Sequence, residues 1–166
     1  TSAYAAAPVC SPTRASILTG KYPARINVTN FIGGSQEPTP YQTHLARGEE
    51  TLAEALRNSG YTTGFVGKWH LGDESEFGPE RYGFDWAVGE GGSMPRYFYP
   101  HRNFWSQEEP PKINLPPGAE GEYLTDRLGS EALRYIEQNK AEPFLLYLAF
   151  YNPHTPIEAK SELVAK

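Results

Sequence analysis

A nearly unbroken apolar run, Pro143 to Tyr151, directly follows the clearest helical pattern of the chain. That pattern covers Glu122 to Asn139, whose apolar residues recur on one stripe at helical spacing. Continuous rather than alternating apolarity is typical of a parallel strand covered on both faces by helices. The pair therefore predicts an α/β protein, an α/β/α sandwich with a mostly parallel sheet.

A second helix–strand pair precedes it. Thr51 and Glu54 have the spacing of a capping box and predict a helix that ends near residues 58–60. The short β-rich stretch Tyr61 to Val66 predicts a buried strand. In open α/β sheets, ligands bind beyond the carboxyl ends of the strands. Lys68 and His70 follow one strand and His154 follows the other, so all three are expected at that edge.

The stretch from Cys10 to Gly20 predicts a short helix with the only cysteine of the chain at its start. Ser11 is a good N-cap, Pro12 suits the first turn, and Gly20 can close the helix in a left-handed conformation. Cys10 would then lie near free N–H groups, where an anion is stabilised, and Arg14 would lie one turn further on. This setting suits a nucleophile that acts on an anionic substrate.

Residues 72–121 are rich in proline, glycine and aromatic residues and show no sustained periodicity. An irregular segment of this length is commonly a binding loop or disordered. Its aromatic residues argue against disorder, and most of them are expected to pack on the core.

Composition excludes several classes of protein. The net charge of −5 and the lack of a Lys/Arg run give no support to nucleic-acid binding or to a membrane-surface patch. No apolar stretch approaches the roughly 20 residues that span a bilayer. A single cysteine excludes an internal disulfide, and 166 residues suffice for one core-bearing domain.

Two motifs together point to a family. The pattern Cys-x-Pro-Thr-Arg-x-x-x-Leu-Thr-Gly at residues 10–20 and the stretch Gly60 to His70 resemble, in order, the two signature motifs of the type I sulfatases. The resemblance implies the alkaline phosphatase-like α/β fold. It also implies hydrolysis of sulfate monoesters, of carbohydrates or aryl alcohols, to alcohol and inorganic sulfate. In that family the motif cysteine is converted to Cα-formylglycine, whose hydrate is the nucleophile.

The resemblance also assigns roles to individual residues. Arg14 would partner the formylglycine oxygen that derives from Cys10. Lys68 would bind a sulfate oxygen and the hydrate, and His70 would take the hydrate proton as sulfate is eliminated. His154 would contact the sulfate and assist the leaving oxygen. Ser93 corresponds to a family serine close to the sulfate.

Each of these residue types also has an ordinary structural interpretation. A lone cysteine is usually a small buried hydrophobe, and an isolated Arg14 would be a solvated charge. Lys68 could end a strand in water, while His70 and His154 could be structural histidines. Ser93 could be a loop residue. The two long motifs favour the catalytic interpretation.

The family also binds one divalent cation, usually calcium with magnesium as the alternative, through paired aspartates that precede the cysteine motif and a later acidic pair. The chain contains only Asp73, Asp85 and Asp126, none of them in such a place. Of the residues present, only an oxygen derived from Cys10 could ligate the metal. Residues 1–166 are therefore expected to be an N-terminal part of a longer catalytic domain, without its upstream strand and C-terminal portion, and inactive alone.

The resemblance implies two partners: a sulfated small molecule or glycan as substrate, and a formylglycine-generating or sulfatase-maturing enzyme. It implies an extracytoplasmic location, whether periplasmic, secreted or lysosomal. Two other functions stay open: a formylglycine-dependent phosphate or phosphonate ester hydrolase, and a non-catalytic relative that binds sulfated glycans. The intact Cys10, Lys68 and His70 count against the second.

Overall fold

The computed structural model describes residues 2–33, 39–72, 76–89, 95–104 and 113–165. Within them lie four α-helices, three strands and one 3₁₀ turn. In chain order these elements are α1 (Cys10–Thr19), α2 (Leu52–Asn58), β1 (Thr62–Gly67), the 3₁₀ turn (Pro79–Tyr82), β2 (Trp86–Val88), α3 (Leu124–Asn139), β3 (Phe144–Ala149) and α4 (Ser161–Val164).

The three strands form one parallel sheet in the order β2-β1-β3. Successive residues of the central strand point to opposite faces, and each face is covered by helices. Phe65 packs in one cluster with residues of α1 and α2, whereas Val66 packs in a second cluster with Leu124 and Leu128 of α3. The predicted α/β class with a parallel sheet between helical layers is confirmed.

Most predicted elements are present, with ends that differ by one or two residues. The capping box of α2 is complete: the Thr51 hydroxyl accepts from the Glu54 amide at 3.1 Å, and the Glu54 carboxylate accepts from the Thr51 amide at 2.9 Å. Gly20 ends α1 with a φ of 67°, as predicted. The aromatic residues Tyr82, Phe84 and Tyr97 of the irregular segment are buried in the core.

The predicted N-cap of α1 is wrong. The helix begins at Cys10, its N-cap is Val9, and no side chain caps it. Ser11 lies one residue inside the helix and is completely buried, because its hydroxyl accepts a hydrogen bond from the Ile32 amide at 3.1 Å. The Ser11 hydroxyl, which local preferences predicted to cap the helix, therefore bonds to a distant loop residue.

Two features of the sheet also differ from expectation. The three-residue strand β2 lies within the segment expected to be irregular, and it is too short to show periodicity. The apolar run at β3 was expected to be covered on both faces, yet this strand is only half-buried, and Leu148 is 39% exposed. In the described part of the chain β3 pairs with β1 alone and forms an edge of the sheet.

The end of β1 depends on Gly67. This residue has a φ of 114°, and a Cβ atom there would lie 2.0 Å from the carbonyl oxygen of Ala149. The next amide, that of Lys68, donates to the same oxygen at 2.8 Å. Glycine therefore allows the close approach that leads the chain from β1 into Lys68 and His70.

We predict that Gly67→Ala destabilises the fold by about 2 kcal/mol or more, because the methyl group meets backbone and the φ is unfavourable for L residues. The midpoint of urea unfolding measures the loss. Gly48→Ala is the matched control, since nothing lies within 4 Å of a Cβ at that position. Equal midpoints for the two variants would contradict this account of the β1 end.

Candidate active site

Cys10 and His70 are in direct contact. The Cys10 Sγ lies 3.0 Å from the His70 Nδ1, although the two residues are 60 positions apart. Cys10 is the first residue of α1, and His70 follows β1 in a left-handed conformation with a φ of 57°. The histidine is only 6% exposed. The motif residues that sequence analysis placed together are therefore paired in the structure.

The other ring nitrogen of His70 determines the proton position. Nε2 lies 2.7 Å from the carbonyl oxygen of Ile32. A carbonyl can only accept a hydrogen bond, so Nε2 carries the proton. In the neutral imidazole, Nδ1 is then unprotonated and faces the side chain of residue 10 as an acceptor.

Arg14 connects α1 to the end of β1. Its guanidinium donates a hydrogen bond to the main-chain carbonyl of Lys68. Burial lowers the pKa of Arg14, and the neighbouring Tyr147, Cys10 and Tyr151 act in the opposite direction. An arginine stays charged at neutral pH even so, and the guanidinium is a fixed cation beside Cys10.

Lys68 is 2% exposed, so its side chain is not the solvated strand-end lysine of the ordinary interpretation. Its amide is held by the carbonyl of Ala149 on β3, and its carbonyl is held by Arg14 on α1. The backbone at Lys68 is thus fixed from two neighbouring elements.

His154 lies in the turn that follows β3. Its Nδ1 donates to the Thr155 carbonyl at 3.0 Å, and its own carbonyl accepts from the Tyr97 hydroxyl at 3.2 Å. Burial lowers the pKa of His154, the hydrogen bond to the Thr155 carbonyl raises it, and the positive charges of Lys68 and Arg14 lower it, as would that of His70 once it is protonated. The net effect is a lowered pKa, which favours the neutral imidazole, and one of the cations responsible, Arg14, also acts on Cys10.

A surface cleft of about 510 Å³ lies beside Cys10 and Arg14, whereas the buried Lys68 and His70 do not line it. Residues 7–10 and the outer side of α1, including Arg14, form one wall, and Tyr147 to Ala149 of β3 form the other. Cys10 is half-buried in that wall, so its side chain is accessible to a small molecule.

Ser93 lies outside the described residues, as does Asp73. Among the residues that the structure describes, no group of three or more His, Cys, Asp or Glu side chains is placed to hold a metal ion. Asp85 accepts from Thr63 at the start of β1, and Asp126 forms an ion pair with Lys160, so both have structural roles.

The whole chain is similar to known sulfatases. A family model described as sulfatase matches residues 1–166. Arylsulfatase of Hemicentrotus pulcherrimus is 34% identical over 95% of this chain and 31% of its own length. Human N-acetylgalactosamine-6-sulfatase is 36% identical over 94% of this chain and 32% of its own length. The chain therefore spans about a third of the length of the curated relatives that it matches.

Solved structures agree. The crystal structure of Ps i-CgsB superposes with a TM-score of 0.76 at 31% identity, over 98% of this chain and 38% of the other. The same protein in complex with k-i-k-neocarrahexaose gives a TM-score of 0.73 at 30% identity, with the same coverage. The chain belongs to the sulfatase family, and its α/β core is part of the alkaline phosphatase-like fold of that family.

Sequence analysis missed the carbonyl of Ile32 and the hydroxyl of Tyr97, which hold the two histidines. A carbonyl gives no signal in the residue type that carries it, so no motif search could find Ile32. Tyr97 was expected only as a core aromatic, and its buried ring fits that expectation, while its hydroxyl serves the His154 turn.

We predict that Lys68→Met raises the pKa of His154 toward its ordinary value, because it removes a neighbouring positive charge and leaves burial unchanged. NMR titration of the histidine ring protons measures the midpoint. Lys140→Met is the control, since Lys140 pairs with Glu137 at the end of α3. An unchanged His154 midpoint in Lys68→Met would show that the two side chains do not share a site.

Proposed function

We propose that this protein hydrolyses sulfate monoesters and that residue 10, once converted to formylglycine, supplies the nucleophile. The observation that carries the proposal is the 3.0 Å contact between Cys10 Sγ and the unprotonated Nδ1 of His70. A base in direct contact with the nucleophilic residue is the arrangement that activated nucleophiles require. Membership of the sulfatase family supports the same chemistry.

The surroundings of Cys10 suit an anion. The α1 helix has ten residues, and Val9 offers no side-chain cap, so no capping side chain occupies its N-terminal N–H groups. Arg14 adds positive charge beside Cys10, and Lys68 adds positive charge near His154. Preorganised donors and cations of this kind stabilise the negative charge that develops on the sulfuryl oxygens in the transition state.

His70 is suited to proton transfer at residue 10. Because the Ile32 carbonyl holds the proton on Nε2, the lone pair of Nδ1 is directed at the nucleophilic residue. An imidazole near neutral pH can take up a proton there and release it afterwards. The burial of His70 keeps bulk water from competing for that lone pair.

His154 is suited to the opposite side of the reaction. The positive charges of Lys68 and Arg14 favour its neutral form, and a bound anion would favour its protonated form. Binding of the anionic substrate would thus favour a protonated His154, which can contact the sulfate and donate a proton to the leaving oxygen.

Formylglycine at residue 10, held beside His70, would supply an aldehyde hydrate: one hydroxyl would bond to sulfur as the S–O bond to the departing alcohol breaks, and loss of the proton of the second hydroxyl would release sulfate as the aldehyde re-forms. The position of Cys10 fits this group, since the residue is half-buried at the start of α1, lines the cleft and contacts His70. Conversion requires a maturing enzyme as partner.

The calcium or magnesium ion of the family does not fit the described residues by themselves. Only an oxygen at position 10 is available to it, because Asp85 and Asp126 are engaged elsewhere. A hard cation needs six or more oxygen ligands, so the rest of its site must come from outside the described residues.

We infer carbohydrate sulfates as the substrate class, with simple aryl sulfates fitting the same centre. Relatives named N-acetylgalactosamine-6-sulfatase and a similar structure solved with k-i-k-neocarrahexaose support a sulfated sugar. We also propose an extracytoplasmic location, which the resemblance to the sulfatase family implies. In the described part of the chain, no helix is both long and apolar enough to cross a bilayer.

We predict that Cys10→Ala abolishes turnover of an aryl sulfate by the protein at its natural length, because no nucleophile remains. His70→Ala should lower kcat by about 10²- to 10⁴-fold, the usual contribution of a general base. His44→Ala is the matched control, since this histidine belongs to neither motif and stacks on Phe77. Retained activity in Cys10→Ala would exclude this mechanism.

Matched esters separate the remaining functions. A sulfatase should have a higher kcat/KM for an aryl sulfate than for the corresponding phosphate or phosphonate ester. The reverse order would assign the site to phosphate chemistry. Binding of sulfated glycan without turnover of any ester would leave the protein as a non-catalytic relative.

A further inference from the structure

Ser11 lies next to the nucleophilic residue, yet its side chain faces the protein interior. It is completely buried, and its hydroxyl accepts a hydrogen bond from the Ile32 amide at 3.1 Å. Ile32 is itself 3% exposed and belongs to the loop that follows α1. A buried serine in the first turn of a helix thus holds a loop 21 residues further along the chain.

Ile32 transmits this contact to the site. Its amide donates to Ser11, and its carbonyl accepts from His70 Nε2 at 2.7 Å. The other nitrogen of the same ring lies 3.0 Å from Cys10 Sγ. Since Cys10 and Ser11 are adjacent, the contacts form a closed circuit: residue 10 to His70, His70 to Ile32, Ile32 to Ser11, and back along the chain.

We propose that Ser11 is a positioning residue for His70 and that it acts through the backbone of Ile32. The inference rests on the proposed function of His70 as the base at residue 10. The Ser11 Oγ lies 4.0 Å from the Cys10 Sγ, at the outer limit of a hydrogen bond to sulfur, and its shorter contact is the one with the Ile32 amide at 3.1 Å. It fixes the carbonyl that holds the proton on Nε2, and so it keeps Nδ1 unprotonated and directed at the nucleophile.

The physical argument concerns the choice between two tautomers. The neutral imidazole can carry its proton on either nitrogen, and the hydrogen bond at one nitrogen decides which. The Ile32 carbonyl makes that choice only while it stays within bonding distance of Nε2. An unanchored loop would let the carbonyl move and the ring rotate, and a proton on Nδ1 would remove the base.

Ser11→Ala tests the proposal, with Ser16→Ala as the matched control. Both substitutions remove one hydroxyl from α1, but the buried Ser16 Oγ has no hydrogen-bond partner in the described part of the chain. The protein is used at its natural length. Mass spectrometry of the peptide that contains residue 10 gives the converted fraction, so that kcat refers to converted protein only.

We expect Ser11→Ala to lower kcat for an aryl sulfate by about 10-fold or more, as loss of a partner that orients a histidine commonly does at metal sites. KM should change little, because Ser11 does not touch substrate. Ser16→Ala should leave both kcat and KM unchanged.

Equal kcat for the two variants, or a rise in KM in place of a fall in kcat for Ser11→Ala, would overturn the proposal and make Ser11 a packing residue. If Ser11→Ala does not fold, ¹⁵N NMR of the unsubstituted protein with labelled histidine is the second test. It should show His70 with a protonated Nε2 and an unprotonated Nδ1, and the opposite tautomer would overturn the proposal. This readout needs no turnover, so it stays decisive even if the protein fails to hydrolyse sulfate esters.

Discussion

The parallel pairing of β1 with β3 is the constraint on which the site depends. The two strands are joined by six consecutive residue pairs, from Thr62 with Phe144 to Gly67 with Ala149. In this register both strands end at the same level of the sheet. The Lys68 amide continues the pairing for one more bond to Ala149. Because both strands run in the same direction, the chain leaves β1 toward His70 and leaves β3 toward His154 at one edge of the sheet.

The helix α1 supplies the remaining side of the site and is attached to that edge by polar contacts rather than by strand pairing. Arg14 reaches the carbonyl of Lys68, and Cys10 reaches the ring of His70. Apolar packing of Ala15 and Leu18 in the same cluster as Phe65 sets the height of the helix above the sheet. Burying the positive charges of Arg14 and Lys68 costs free energy. The apolar packing of α1 against the sheet offsets that cost.

Local patterns predicted the elements well, whereas they did not predict the contacts between distant segments. The capping box of Thr51 and Glu54 and the stripe of α3 are each encoded within one stretch of chain, and both are present. The role of Ser11 was assigned wrongly because its partner, Ile32, lies in a loop that local preferences cannot place. The partial exposure of β3 was not predicted. An apolar run indicates that a strand can be buried, but it does not identify the segments that would cover it. Cys10, Lys68 and His70 were found only because the motifs named them.

The central claim is that residue 10 acts as an aldehyde-derived nucleophile held against His70. Mass spectrometry of the residue 10 peptide, taken from active protein and treated with a hydrazine probe, tests it most directly. We predict the mass of an aldehyde in place of the thiol and a hydrazone adduct at that position. An unmodified thiol in fully active protein would contradict the account.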